Sequence, residues 1–143
     1  MKKKLATVMA ATMAVSGSVV SVSAATTEDK IVGANRKETA VEISKEGWKS
    51  AETVILVNDA AIPDALTATP LAHAKKAPIL LTSKKGLTKE TTDEIKRLGA
   101  KNVIMIGGDA VLPASIEKSL KEMNIKTDRV KGDTREETAL AIA

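Results

Sequence analysis

Three short runs in this chain are almost wholly apolar: Thr53–Val57 (TVILV), Pro78–Thr82 (PILLT) and Asn102–Ile106 (NVIMI). A strand with one wet face alternates apolar and polar residues, so unbroken runs predict strands covered on both faces. Amphipathic stretches separate the runs. Strand–helix alternation of this kind packs as a parallel sheet between helices. The expectation is a small three-layer α/β domain with a parallel sheet.

The helices carry their own start and stop signals. Asn35 and Glu38 have capping-box spacing ahead of a helical stretch in which Ala40, Ile43 and Gly47 share a face, with Trp48 just beyond its end. Pro63 and Asp64 suit the first turn of a second helix, rich in Ala and Thr and reaching about Lys75, which Pro70 should kink or divide. After the loop Ser83–Gly86, Thr88 is expected to cap a third helix with Thr91, Ile95 and Leu98 as its apolar stripe. Glu90, Asp93, Glu94, Lys96 and Arg97 form the solvated face, and Gly99 ends the helix. Pro113 opens a fourth helix with Ile116, Leu120 and Met123 on one side, and Thr127–Val130 reads as a further short strand.

The chain also repeats itself. Residues 31–44 (IVGANRKETAVEIS) and 130–143 (VKGDTREETALAIA) match at six of fourteen positions, among them Gly33/Gly132, Arg36/Arg135, Thr39/Thr138 and Ile43/Ile142. Thr134 and Glu137 restate the capping spacing. Internal repeats form arrays whose units bury surface against each other. The expected organisation is a leader at 1–24, a first unit at 25–129 and the start of a second at 130–143.

The leader follows from Lys2, Lys3 and Lys4, an apolar stretch from Leu5, and the small-residue cleavage pattern Val22-Ser23-Ala24. Ser16, Gly17 and Ser18 interrupt the apolar stretch, which argues against a membrane anchor. The whole chain carries a formal charge of +4, but three basic residues belong to the leader and all 18 acidic ones follow it, leaving about +1. Nucleic acid is therefore not an expected partner, nor is a membrane once the leader is removed. With no cysteine, stability must come from a core and not from disulfides. One Trp and no Tyr or Phe leave few platforms for stacking sugars or bases.

In a parallel sheet the open crevice lies beyond the carboxyl ends of the strands. Asn58-Asp59, Thr82-Ser83-Lys84 and Gly107-Gly108-Asp109 converge there. Free backbone N–H groups and helix starts at such an edge suit an anion, whereas the plainer reading is ordinary turn chemistry. Arg36 and Arg135 recur in the repeat and suit either an acidic polymer or a neighbouring unit's carboxylates. One His and no Cys make a metal site unexpected, although Asp59, Asp64 and Asp109 leave Mg²⁺ open. No nucleophile elbow or P-loop occurs, so the expectation is a non-catalytic chain without a cofactor.

The order of motifs, Gly33–Ile43, Val54–Leu66, Ala77–Thr82, Asn102–Gly108 and Gly132–Ala139, resembles the type 2 cell-wall-binding repeat of Gram-positive surface proteins. The resemblance implies a Rossmann- or toprim-like unit, usually in about three copies around a pseudo-threefold axis. It implies a secreted, surface-held module that anchors S-layer proteins, adhesins or autolysins non-covalently through an anionic secondary wall polymer. The ligand-binding candidates are Arg36, Asn58, Asp64, Thr82, Ser83, Gly107, Gly108 and Arg135, and neighbouring repeats are further partners. Against the family pattern, Lys37 and Glu136 replace a Tyr, Ile62 replaces an aromatic, and Leu112 stands where a Ser cap is usual. The alternative is the anchoring part of a wall hydrolase of the N-acetylmuramoyl-L-alanine amidase type whose catalytic domain lies elsewhere. A soluble anion-binding α/β protein is the third reading.

Overall fold

The computed structural model describes residues 30–132 and 134–142, with the side chain of Arg135 outside the described set. The expected leader also lies outside it. Helix α1 (Arg36–Gly47) precedes β1 (Thr53–Asn58), α2 (Ile62–Thr67), α3 (Thr69–Lys75), β2 (Ile79–Thr82) and α4 (Lys89–Leu98). Then come β3 (Asn102–Ile106), α5 (Ala114–Glu122), β4 (Lys126–Val130) and α6 (Arg135–Ile142). The strands form one parallel sheet in the order β2-β1-β3-β4, with Ile55 in register with Ile79 on one side and Ile104 on the other.

The pleat sorts each apolar run into two layers. Val54, Leu56, Leu80, Val103 and Met105 face Val41 of α1, Ile95 and Leu98 of α4, and Ile116 and Leu120 of α5. Ile55, Val57, Ile104 and Ile106 face Ala68, Ala72 and Ile142 of α6. The expected three-layer α/β architecture is present. Small side chains on the second face bring α2 and α3 close to the sheet, and the Ala/Thr-rich helix divides at Ala68, just before Pro70. Strand β4 (KTDRV) is a polar edge, which discourages further strand pairing.

Four local expectations are revised. Glu94, assigned to the solvated face of α4, is 2% exposed. Its carboxylate accepts from Ser44 Oγ at 2.6 Å and from Arg97 Nε and Nη2, both at 2.7 Å. Thr88 stands at the N-cap position of α4 but caps no backbone N–H; its hydroxyl pairs with that of Thr91 at 3.0 Å. Helix α5 stops at Glu122, so Met123 packs from the cap position and not from the last helical turn. The face of α1 that enters the core carries Val41 and Ser44, while Ile43 is exposed.

The repeated segment is a local lock formed twice. Gly33 N–H donates to Thr39 Oγ1 at 3.1 Å, and Thr39 Oγ1 donates to Asn35 O at 3.0 Å. Gly132 N–H donates to Thr138 Oγ1 at 2.9 Å, and that hydroxyl donates to Thr134 O at 3.0 Å. A Cβ on Gly33 would lie 2.4 Å from the Glu38 carbonyl carbon, and one on Gly132 would lie 2.4 Å from that of Glu137. Glycine is required because the chain passes directly over the first helical turn. At the first copy Asn35 Oδ1 accepts from the N–H groups of Lys37 and Glu38, while Glu38 reaches back to the N–H of Ala34.

Candidate functional site

The crevice opens at the carboxyl edge of β1 and β3, with a volume of about 400 Å³, and Asn58, Asp59, Asp64, Lys84, Gly107 and Gly108 are among its lining residues. Gly132, Thr134 and Thr138 from the second copy of the repeat close its far side. This is the position that parallel-sheet topology assigns to a ligand.

Each wall has a physical cause. Asn58 ends β1 almost fully buried; its Nδ2 donates to Val111 O and its Oδ1 accepts from Ala60 N–H at 2.7 Å. Both ends of the amide therefore hold the loop between β1 and α2 against the loop after β3. Gly107 has φ 109°, and a Cβ there would sit 2.5 Å from Val111 Cγ2 and 3.5 Å from Asp64 Oδ2. Gly108, by contrast, has open space where a Cβ would stand, so sterics alone do not demand glycine there.

The rim is charged. Lys37 Nζ pairs with Asp59 Oδ2 at 2.9 Å, and Arg36 Nη1 donates to Asp59 O at 3.1 Å. Two cations from the first turn of α1 thus meet the β1–α2 loop. Lys84 adds a third cation from the β2 loop, and Asp59 and Asp64 supply two carboxylates. Asp64 stands in the first turn of α2, where its charge complements the helix dipole and competes with any anion placed there.

The candidate residues fall into groups. Asn58, Asp64, Gly107 and Gly108 line the crevice, and Arg36 reaches its rim. Thr82 is fully buried; its hydroxyl donates to Gly86 O at 2.8 Å and shapes the β2 loop. Ser83 Oγ accepts from Lys85 N–H within that loop. Arg135 opens α6. Among the described residues, no group of three or more His, Cys, Asp or Glu could hold a metal ion, and no helix is long and apolar enough to cross a membrane.

Two participants went unnoticed in the sequence. Lys37, seen there only as a replacement for Tyr, forms the ion pair with Asp59. Arg129 on β4 donates from Nη1 to Gly107 O at 2.9 Å and from Nε to Glu117 Oε1 at 3.0 Å, and its Nη2 lies 3.4 Å from Asp109 Oδ1. It ties the Gly107–Asp109 loop to α5 and β4. An arginine next to the last residue of a short edge strand was the available signal.

Residues 30–117 match the family model described as cell wall binding domain 2. The chain is 36% identical over 114 residues to the N-acetylmuramoyl-L-alanine amidase LytC of Bacillus subtilis, covering 80% of this chain and 23% of that protein. It is 38% identical over 107 residues to the amidase enhancer of the same organism, covering 75% of this chain and 15% of that one. Among solved structures it resembles Cwp6 from Clostridium difficile, with a TM-score of 0.76 and 43% identity over 79% of this chain and 18% of that one. Cwp8 from the same organism aligns with a TM-score of 0.75 and 39% identity, over 78% of this chain and 20% of that one. The chain thus spans less than a quarter of the length of these relatives. Its matched region, fold and order of motifs agree: the chain belongs to the cell wall binding domain 2 family.

Proposed function

We propose that this chain is a non-catalytic module that holds an exported protein on the cell wall by non-covalent attachment to an anionic wall polymer. One observation carries the reading. Residues 30–117 match a cell wall binding domain, and the unit covers only 23% of the LytC amidase and recurs in an amidase enhancer, which supports a binding role separate from the amidase activity. The crevice and its cationic rim are the proposed contact, with Arg36, Lys37 and Lys84 meeting polymer anions at the edge. Asn58, Asp64, Thr82, Ser83, Gly107 and Gly108 shape the loops, and Arg135 supplies the counterpart of Arg36 in the second copy. In this scheme 1–24 is an export leader, 25–129 a complete unit and 130–143 the start of another, and neighbouring units are partners.

The match to LytC supports a second reading, in which this chain is the anchoring part of an autolysin. Both readings predict wall binding. Cosedimentation with purified Gram-positive walls, before and after chemical removal of anionic polymer, tests them. Binding that falls on stripping, and falls in Arg36→Ala/Lys37→Ala on intact walls, supports the proposal. Binding unchanged by stripping overturns the polymer as the ligand.

A further inference from the structure

The cationic rim of the crevice carries its own anion. Lys37 Nζ lies 2.9 Å from Asp59 Oδ2, and the two side chains are only 22% and 26% exposed. A pair largely withdrawn from water is screened less than an open surface pair, so the Lys37 charge is already countered by a carboxylate of its own chain. The other two cations are more open: Arg36 and Lys84 are both exposed, and Arg36 is engaged at a neutral carbonyl, Asp59 O.

Backbone bonds, not the carboxylate, fix where Asp59 stands. Its N–H donates to Thr82 O at 2.9 Å, continuing the β1–β2 pairing one residue past β1, and its carbonyl accepts from Arg36 at 3.1 Å. Among the described residues the carboxylate itself bonds only to Lys37. It therefore does little for the shape of the loop and much for the charge of the rim. Arg36, Lys37 and Lys84 against Asp59 and Asp64 leave a single net positive charge, and without the Asp59 carboxylate that excess doubles.

We propose, on the polymer reading above, that Asp59 is a built-in competitor for the wall anion. It occupies the Lys37 ammonium in the free chain, an anionic group of the polymer replaces it on binding, and the exchange lowers the affinity of the rim. A carboxylate on the same chain acts at a high effective concentration. An incoming anion thus gains only the difference between two pairings at Lys37, not the whole of one.

Cosedimentation with purified Gram-positive walls tests it. Asp59→Asn removes the charge while keeping the side-chain size and both backbone bonds. It is expected to bind intact walls about fivefold more tightly than wild type, the worth of one well-placed ion pair. The gain should vanish in Asp59→Asn/Lys37→Ala, which lacks the released cation, and on walls stripped of anionic polymer. Should Asp59→Asn lack a cooperative melt, Asp59→Ser takes its place in the same comparisons. A gain that needs both Lys37 and the polymer supports the proposal. A folded variant that binds intact walls no better than wild type, or whose gain survives Lys37→Ala or stripping, overturns it and leaves the polymer reading standing. Wild-type binding that is absent, or unchanged by stripping, overturns both.

Discussion

Removing the Glu94 carboxylate should be among the most damaging single changes outside the apolar core. Glu94 is 2% exposed and receives three hydrogen bonds, from Ser44 and twice from Arg97. Arg97 in turn donates from Nη2 to Trp48 O at 2.9 Å and from Nη1 to Lys49 O at 3.3 Å, so the cluster fastens the end of α1 to α4. Glu94→Ala leaves the fully buried Ser44 hydroxyl without its acceptor, a cost of about 1–3 kcal/mol. It also deprives Arg97 of its counter-charge. Loss of one partner from a buried pair costs about 3–5 kcal/mol, but the Arg97 side chain is 34% exposed and can turn to water. The expected loss is therefore about 3 kcal/mol, against a whole-domain stability of about 5–15 kcal/mol. Ser44→Ala, which removes a single hydrogen bond, should cost about 1 kcal/mol.

The same cluster sets a pH dependence. Burial pushes the Glu94 pKa up, but the hydrogen bonds from Arg97 and then Ser44 outweigh it and hold the carboxyl below its ordinary value. A folded-state pKa below the unfolded one stabilises the fold above the unfolded value, and that contribution is lost as pH falls through the folded value. Wild-type stability should therefore drop below about pH 4.5, and Glu94→Gln should be less stable at pH 7 yet show a shallower acid decline. Urea unfolding at pH 7 and pH 3.5 for wild type, Ser44→Ala, Glu94→Ala and Glu94→Gln measures each contribution. A Glu94→Ala loss below about 1 kcal/mol would show that exposed pairing, worth that much at most, describes this cluster better than burial does.

Other outcomes follow from named contacts. Gly107→Ala should cost about 2 kcal/mol or more, since φ is 109° and the new Cβ would sit 2.5 Å from the Val111 methyl; thermal unfolding with far-UV detection reads it. Gly33→Ala should cost about 1–3 kcal/mol because its Cβ would meet backbone at 2.4 Å, and the shift should appear as lost protection of the amide at position 33 in hydrogen exchange. Val41→Ala should cost about 2 kcal/mol, whereas Leu140→Ala should lie within about 0.5 kcal/mol of wild type, as judged by urea midpoints; equal losses would refute the assignment of opposite helix sides.

The strands were readable because an all-apolar run has few other uses in a short chain, and three of them observe the same parallel register. The crevice was readable from topology alone: once the sheet is parallel, Asn58 and Gly107 must end strands at its open edge. Glu94 was not readable. It sits three residues after Thr91 and one before Ile95, at the margin of the apolar stripe, and its burial depends on Ser44, fifty residues away. Lys37 and Arg129 were hidden for the same reason, since an ion pair with Asp59 or a clasp on Gly107 exists only after the chain has folded. Local capping was nearer the mark, but at Thr88 the competing hydroxyl of Thr91 took the hydrogen bond.

The repeated helix is the instructive failure. An amphipathic helix announces its buried side by a single stripe, yet α1 has Val41 and Ile43 on opposite sides and so offers two candidates. Choosing the face of Ala40, Ile43 and Gly47 selected the side that α6 uses, not the side that α1 uses. The second copy supplies the missing information: identical residues at the glycine and threonine lock fix how the helix starts, while the exposures of Val41/Leu140 and Ile43/Ile142 reverse. Since the local geometry is common to both, the reversal comes from the surfaces each helix meets. A helix with apolar residues on two sides thus leaves its buried side to be chosen by the surface it meets, which its own sequence does not contain.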